Sequence, residues 1–114
     1  MRILTATILI PILAACASAR GAMYEPRTLT GIYRHGWEVQ SFRPCGSLEK
    51  WWVGDAADLR PRAERAGVEP DGPLLVEVRA SLSDRGRFGH MGAYSRQIGV
   101  QEVVRVEQAS GDRC

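Results

Sequence analysis

Asparagine is missing from the 114 residues, and Lys50 is the only lysine. Both biases point to a GC-rich coding genome more than to a mechanism. The fifteen basic side chains are spread along the chain and nearly matched by thirteen acids, for a formal charge of +2. A nucleic-acid binder concentrates such charge in a patch or stripe, and no such patch is present. The uncharged apolar run of residues 3–15 falls short of the roughly 20 residues that a transmembrane helix needs, and Pro11 interrupts it. No Gly-x-Ser-x-Gly elbow occurs, and no Cys-x-x-Cys pair. His35, His90, Met91 and Cys45 would suit copper as soft ligands, but no two of them stand at a recognised metal spacing.

What is present begins with an address. Arg2 supplies one positive charge, an apolar stretch follows, and small residues precede Cys16. These are the parts of a secretory leader. Leu13-Ala14-Ala15-Cys16 resembles the lipobox of bacterial lipoproteins. That resemblance implies cleavage after residue 15 and a lipid-modified Cys16, anchored effectively for good once two or more acyl chains are attached. Ala17, in place of aspartate, implies an outer-membrane destination facing the periplasm. Cleavage leaves 99 residues, enough for one domain. The organisation expected is therefore a leader over residues 1–15, a tether over 16–27 and a single domain over 28–114. In an oxidising compartment the two remaining thiols, Cys45 and Cys114, tend to pair, subject to a geometry that sequence does not supply.

Within the domain, residues 28–34 read as a strand rich in β-branched and aromatic side chains. His35-Gly36 reads as a tight turn, and residues 37–42 as the returning strand, ended by Pro44-Cys45-Gly46. Trp51-Trp52-Val53 is a short third strand, with one tryptophan for the core and one for the outside or the underside of a loop. Residues 58–67 suit a short helix with Asp58 as N-cap, Pro61 in the first turn and Gly67 as stop. Leu59, Ala63 and Ala66 fall on one face of it. Leu74, Val76, Val78, Ala80 and Leu82 alternate with mostly polar neighbours, as a half-buried strand should. In the last strand, Ile98, Val100, Val104 and Val106 share a face that Glu102 interrupts. Either a β-bulge near Gln101-Glu102 or an inward, partnered Glu102 would reconcile the pattern.

Strand, strand, strand, helix, strand, strand is the order of the OB-fold. The expectation is a mainly β chain: a five-stranded antiparallel OB-like barrel with one short helix. An open sheet packed on the helix is the alternative, and closure is favoured because it leaves few bare edges. The leader motif, Gly36-Trp37-Glu38-Val39, Phe42-Arg43-Pro44-Cys45-Gly46, Trp51-Trp52-Val53 and the run Gly86 to Tyr94 together resemble a group of small bacterial lipoproteins. Their OB-like domain is similar in kind to the C-terminal module of envelope-stress and copper-resistance lipoproteins. The copper-linked relatives carry a Cys-x-x-Cys pair in a separate barrel, so their metal role does not carry over.

The loop from Ser83 to Arg96 is the most unusual stretch, with glycines at 86, 89 and 92. That spacing matches neither a dinucleotide fingerprint nor a P-loop. In an OB barrel this loop borders the ligand groove. Arg85, Arg87, Phe88, His90 and Tyr94 are accordingly candidates to stack on and hydrogen-bond a protein or polysaccharide of the envelope. The competing reading is a loop packed down by Phe88 and Tyr94. Trp37, Trp51 and Trp52 fit core or barrel mouth better than a carbohydrate platform. No nucleophile stands beside an evident base, so the expectation is a non-enzymatic binding or structural module without a cofactor. The alternative is a periplasmic copper- or zinc-handling protein using His35, His90 and Met91.

Overall fold

The computed structural model describes residues 25–114. The leader, Cys16 and the tether up to residue 24 lie outside the described residues. Five strands and one helix follow in order: β1 (Arg27–Gly36), β2 (Val39–Pro44), β3 (Trp51–Asp55), α1 (Leu59–Arg65), β4 (Leu74–Leu82) and β5 (Gln97–Gln108). The strands close into a barrel in the order β1-β2-β3-β5-β4.

Closure depends on β1, which pairs along one edge with β4 and along the other with β2. Residues 31–33 are bonded on both sides at once. Gly31 stands where the two pairings overlap. A Cβ there would lie 2.5 Å from the Arg43 carbonyl oxygen and 2.5 Å from the Phe42 ring. The crowding leaves no room for a side chain.

One seam departs from the expected all-antiparallel barrel: β3 and β5 run parallel. The cause is the connection. Parallel neighbours require a crossover rather than a hairpin, and here the chain passes through α1 and β4 before β5 reaches β3. The other four seams are antiparallel.

The first turn also differs from expectation. His35 and Gly36 are the last residues of β1, Gly36 faces Val39, and the turn is Trp37-Glu38. Register decides this, because opposing Tyr33 to Phe42 buries both rings in one core. Glu38 consequently adopts φ +57°, a left-handed conformation that costs a non-glycine residue about 1–2 kcal/mol.

In β5 the phase problem is solved by two bulges. Glu77 faces Arg105 but Val78 faces Val103, and Arg79 faces Glu102 but Ala80 faces Val100. Gln101 and Val104 are the extra residues. Ile98, Val100 and Val103 are therefore buried, with Val106 packed beside them, whereas Val104 is exposed. The expected inward position of Val104 is corrected, and Glu102 needs no buried partner because it faces outward opposite Arg79.

Leu59 and Ala63 of α1 close the core, joined by Val68, while Ala66 is exposed. Asp58 occupies the N-cap position without a capping hydrogen bond. The turn before α1 is held instead by Asp55, whose carboxylate accepts from the Ala57 N–H at 2.8 Å.

Cys45 and Cys114 are disulfide-bonded, with Cα atoms 5.7 Å apart and a sequence separation of 69. A second tie holds the same tail: Arg34 donates through Nε and Nη2 to Asp112 at 3.2 and 3.0 Å. Ile32 shares the Arg34 face of β1 and is buried, yet it stands apart from the core cluster.

Two measurements check this architecture. Val103→Ala is expected to cost about 2 kcal/mol in urea denaturation and Val104→Ala less than about 0.5 kcal/mol; equal costs would refute the bulged register. Replacing Cys45 and Cys114 by Ala should lower stability by up to about 4 kcal/mol through the longer unfolded-state loop, read from the same curves.

Candidate functional site

The loop between β4 and β5 is a folded flap rather than an open excursion. Its two limbs continue the hairpin: Ser83 N–H donates to the Gln97 carbonyl at 2.9 Å, Gly86 to Ser95 at 2.9 Å, and Phe88 and Tyr94 exchange both backbone bonds. A single 3-10 turn, His90–Gly92, forms the apex. Gly89 (φ +70°) and Gly92 (φ +64°) supply the reversals there, and Met91 adopts φ +56° between them.

The flap lies against the outside of β3. The Tyr94 ring packs on Trp52 with centroids 5.4 Å apart. A Cβ on Gly89 would fall 2.4 Å from the Trp52 ring, so only glycine lets the backbone approach. The paired tryptophans thus divide as the strand alternation requires. Trp51 stacks on Phe42 inside and Trp52 lies under the flap. On the β2–β3 face that OB barrels offer to oligomeric ligands, Trp52 is covered by the chain's own loop.

Glu49 fixes the root of the flap. Its carboxylate accepts from Ser95 Oγ at 2.5 Å and from both Arg85 terminal nitrogens at 3.0 and 3.3 Å. These bonds hold the Glu49 carboxyl down to about 2, the Ser95 hydroxyl first and the Arg85 guanidinium next. The Trp51 indole N–H lowers it further, although it makes no hydrogen bond of normal geometry.

At its far end the flap meets the β1–β2 turn. His90 Nε2 lies 3.4 Å from Glu38 Oε2. Trp37 and Met91, each next in sequence to one of that pair, are 90% and 82% exposed. Two turn apices are thereby joined, each presenting one large apolar side chain to solvent.

The five residues singled out in the flap have different situations. Arg85 is engaged by Glu49, and Phe88 and Tyr94 are half-buried in the flap's own packing. Arg87 lies over Gly92 and is exposed, and His90 touches Glu38. The soft metal-ligand candidates also have separate partners. His35 lies within β1, not at a hairpin tip, and its Nδ1 accepts from Arg60, which also binds Asp71 at 2.9 Å. Cys45 is in the disulfide. Among the described residues, no group of three or more His, Cys, Asp and Glu side chains is placed to hold a metal ion.

Reading the sequence missed three participants: Glu49, Glu38 and Trp37 as a turn residue. Glu49 carries no local signal, since its partners lie 36 and 46 residues away. For the Trp37-Glu38 turn the sequence signal is the Tyr33–Phe42 pairing, which outweighs the turn preference of His35-Gly36. A shallow cleft at the flap's root is lined by Ser81, Leu82, Ser83, Gln97 and Gly99.

The family model described as the NlpE C-terminal OB domain matches residues 23–108. No curated protein and no solved structure matches.

The Glu49 clamp has a pH signature. A carboxyl depressed in the folded chain stabilises it above the unfolded value near 4.5 and loses that contribution as pH falls toward about 2. Glu49→Gln should therefore be less stable than the parent at pH 7, with the gap narrowing between about pH 4.5 and 2. Urea unfolding followed by tryptophan emission measures this, and a gap independent of pH would show that Glu49 does not act through its charge.

Proposed function

Because the chain belongs to the NlpE C-terminal OB domain family, we propose that it is a lipid-anchored, non-enzymatic module of the bacterial envelope, held at Cys16. The contact surface in this reading is the pair of joined apices. Trp37 carries the assignment: a tryptophan 90% exposed at a two-residue turn serves no packing role in the barrel. His90 meets Glu38, the residue after Trp37, and Arg87 lies over Gly92, the residue after Met91.

Several observations support binding rather than chemistry. The flap's aromatic residues hold it down over Trp52. Arg85 is committed to Glu49, and His35 to Arg60. The one unpartnered buried hydroxyl, Tyr33 Oη among the described residues, is pushed up in pKa by burial against the pull of Arg60. That makes it a poor proton donor or nucleophile at neutral pH. A component of the envelope, whether protein, polysaccharide or bilayer, is the partner. In this reading the chain sits in the outer membrane facing the periplasm, the destination that Ala17 in place of aspartate favours.

Two experiments test the reading. A Cys16→Ser protein is expected to leave the membrane fraction after a carbonate wash, and retention would refute the anchor. A photo-crosslinking residue at position 37 in living cells should yield an envelope adduct where one at position 105, on the β5 outer face, does not. Equal yields would remove the apices as the contact surface.

A further inference from the structure

β1 runs from the tether to the apices. Arg27, its first residue, follows the segment that leads from Cys16, and Trp37 comes just after its last, roughly 33 Å further along the strand. The β2–β3 loop belongs to the tether's end. Gly31 faces Pro44 there, and the Cys45 N–H donates to the Thr30 carbonyl at 2.9 Å. In that loop stands Leu48, 96% exposed, the most exposed large apolar side chain among the described residues.

Leu48 is held out rather than frayed. Before it, the Ser47 N–H donates to the Pro44 carbonyl at 3.1 Å, and Arg43 Nη1 donates to the Ser47 carbonyl at 3.0 Å. After it, the Glu49 N–H donates to Ser47 Oγ at 3.0 Å, and the Glu49 carboxylate is tied to Ser95 and Arg85. The Cys45–Cys114 disulfide secures the start of the loop. A side chain displayed on so constrained a turn gives up little further freedom when it is buried. The charges beside it agree. Lys50 is exposed and has no ion-pair partner among the described residues, so its stem can lie along an apolar layer with the ammonium on phosphate. Two acids of this end are already engaged: Glu49 as above, and Asp112, which feels the Lys50 charge, by Arg34.

The size of the feature selects its occupant. One leucine is a small part of the roughly 800 Å² that each partner of a stable protein complex buries. A bilayer confined close by does not need that area, because attachment through the tether keeps the local concentration of headgroups high. From Cys16 to Pro26 the chain spans at most roughly 35 Å. The β2–β3 loop, bonded to β1 three residues after Arg27, comes within reach of the bilayer without that extension. Trp37 would reach it only if the tether ran back along the whole of β1.

We propose that the barrel rests on the bilayer that anchors Cys16 by its β2–β3 loop, with Leu48 inserted among the headgroups and Lys50 on their phosphates. This rests on the anchor at Cys16. Trp37 and Met91 then face away from that bilayer, and the contact surface at the apices is open to a partner in the periplasm rather than to the lipid that holds the chain.

The test uses the full lipidated protein in vesicles of phosphatidylethanolamine and phosphatidylglycerol, with and without brominated acyl chains. Leu48→Trp adds one emitter at an exposed site, read as the difference from the parent. Met91→Trp does the same at the opposite end and controls for the affinity of tryptophan itself for the interface. Brominated lipid is expected to remove about half or more of the emission added at position 48, as suits a side chain at the headgroup–acyl boundary, and less than about a tenth of that added at position 91. The emission lost in Trp37→Phe should likewise be insensitive to bromine. Unquenched emission from position 48 in protein that floats with the vesicles would overturn the proposal while leaving the anchor intact. Equal quenching at 48 and 91 would overturn it too, by showing a domain with no fixed end toward the membrane. Protein that fails to float would overturn the anchor and the proposal together.

Discussion

The barrel stands on a strand that is hydrogen-bonded along both edges. β1 meets β4 with its first half and β2 with its second, and residues 31–33 belong to both pairings. The overlap brings Phe42 and the Arg43 carbonyl against the backbone at Gly31, where a methyl group would collide with both. A chain unable to make that approach would hold two open sheet edges in place of a closed ring. The register that opposes Tyr33 to Phe42, the turn at Trp37-Glu38 and the outward set of Trp37 all follow from it.

A second constraint operates outside the barrel. Trp52 points away from the core because Trp51, its neighbour on a strand, points in. Left alone it would be a stacking platform on the face where OB domains take oligomers. The flap removes that platform by packing Tyr94 and Gly89 on it, and Glu49 reaches from the β2–β3 loop to fix the flap's root. Aromatic residues that look available in the sequence are therefore spent within the fold. Among the large apolar side chains left facing outward, Trp37 and Met91 stand at the apices, where His90 meets Glu38, and Leu48 stands in the β2–β3 loop. This is why the functional reading rests on Trp37 and Met91 rather than on Phe88 and Tyr94.

The C-terminal tail repeats the same logic of local weakness corrected by a distant tie. Beyond β5 the backbone is held by Ala109 N–H donating to the Pro73 carbonyl and by an isolated Ser110–Arg113 bridge. Arg34–Asp112 and Cys45–Cys114 hold the tail across β1 and β2. The Arg34 hydrogen bond keeps the Asp112 carboxyl below its ordinary range, so that tie, like the Glu49 clamp, weakens in acid.

Sequence by itself determined the elements whose signal is local and periodic. The alternation of β4, the division of the tryptophan pair, the short helix with Leu59 and Ala63 inward, and the strand–helix order of a five-stranded barrel were all legible. So was the family resemblance, from the lipobox and the aromatic and glycine-rich runs. The tertiary structure decided whatever depends on which strands meet. The β3–β5 seam is parallel because of a crossover, and the β1–β2 turn moved two residues because core packing outweighs a turn preference. Val103 replaced Val104 in the core because two bulges in β5 shift its phase against β4. The apices, the Glu49 clamp and the disulfide join residues 36 to 69 positions apart. Periodicity cannot see such pairs, since nothing along the chain near Glu49 or Trp37 records what the fold will bring beside it.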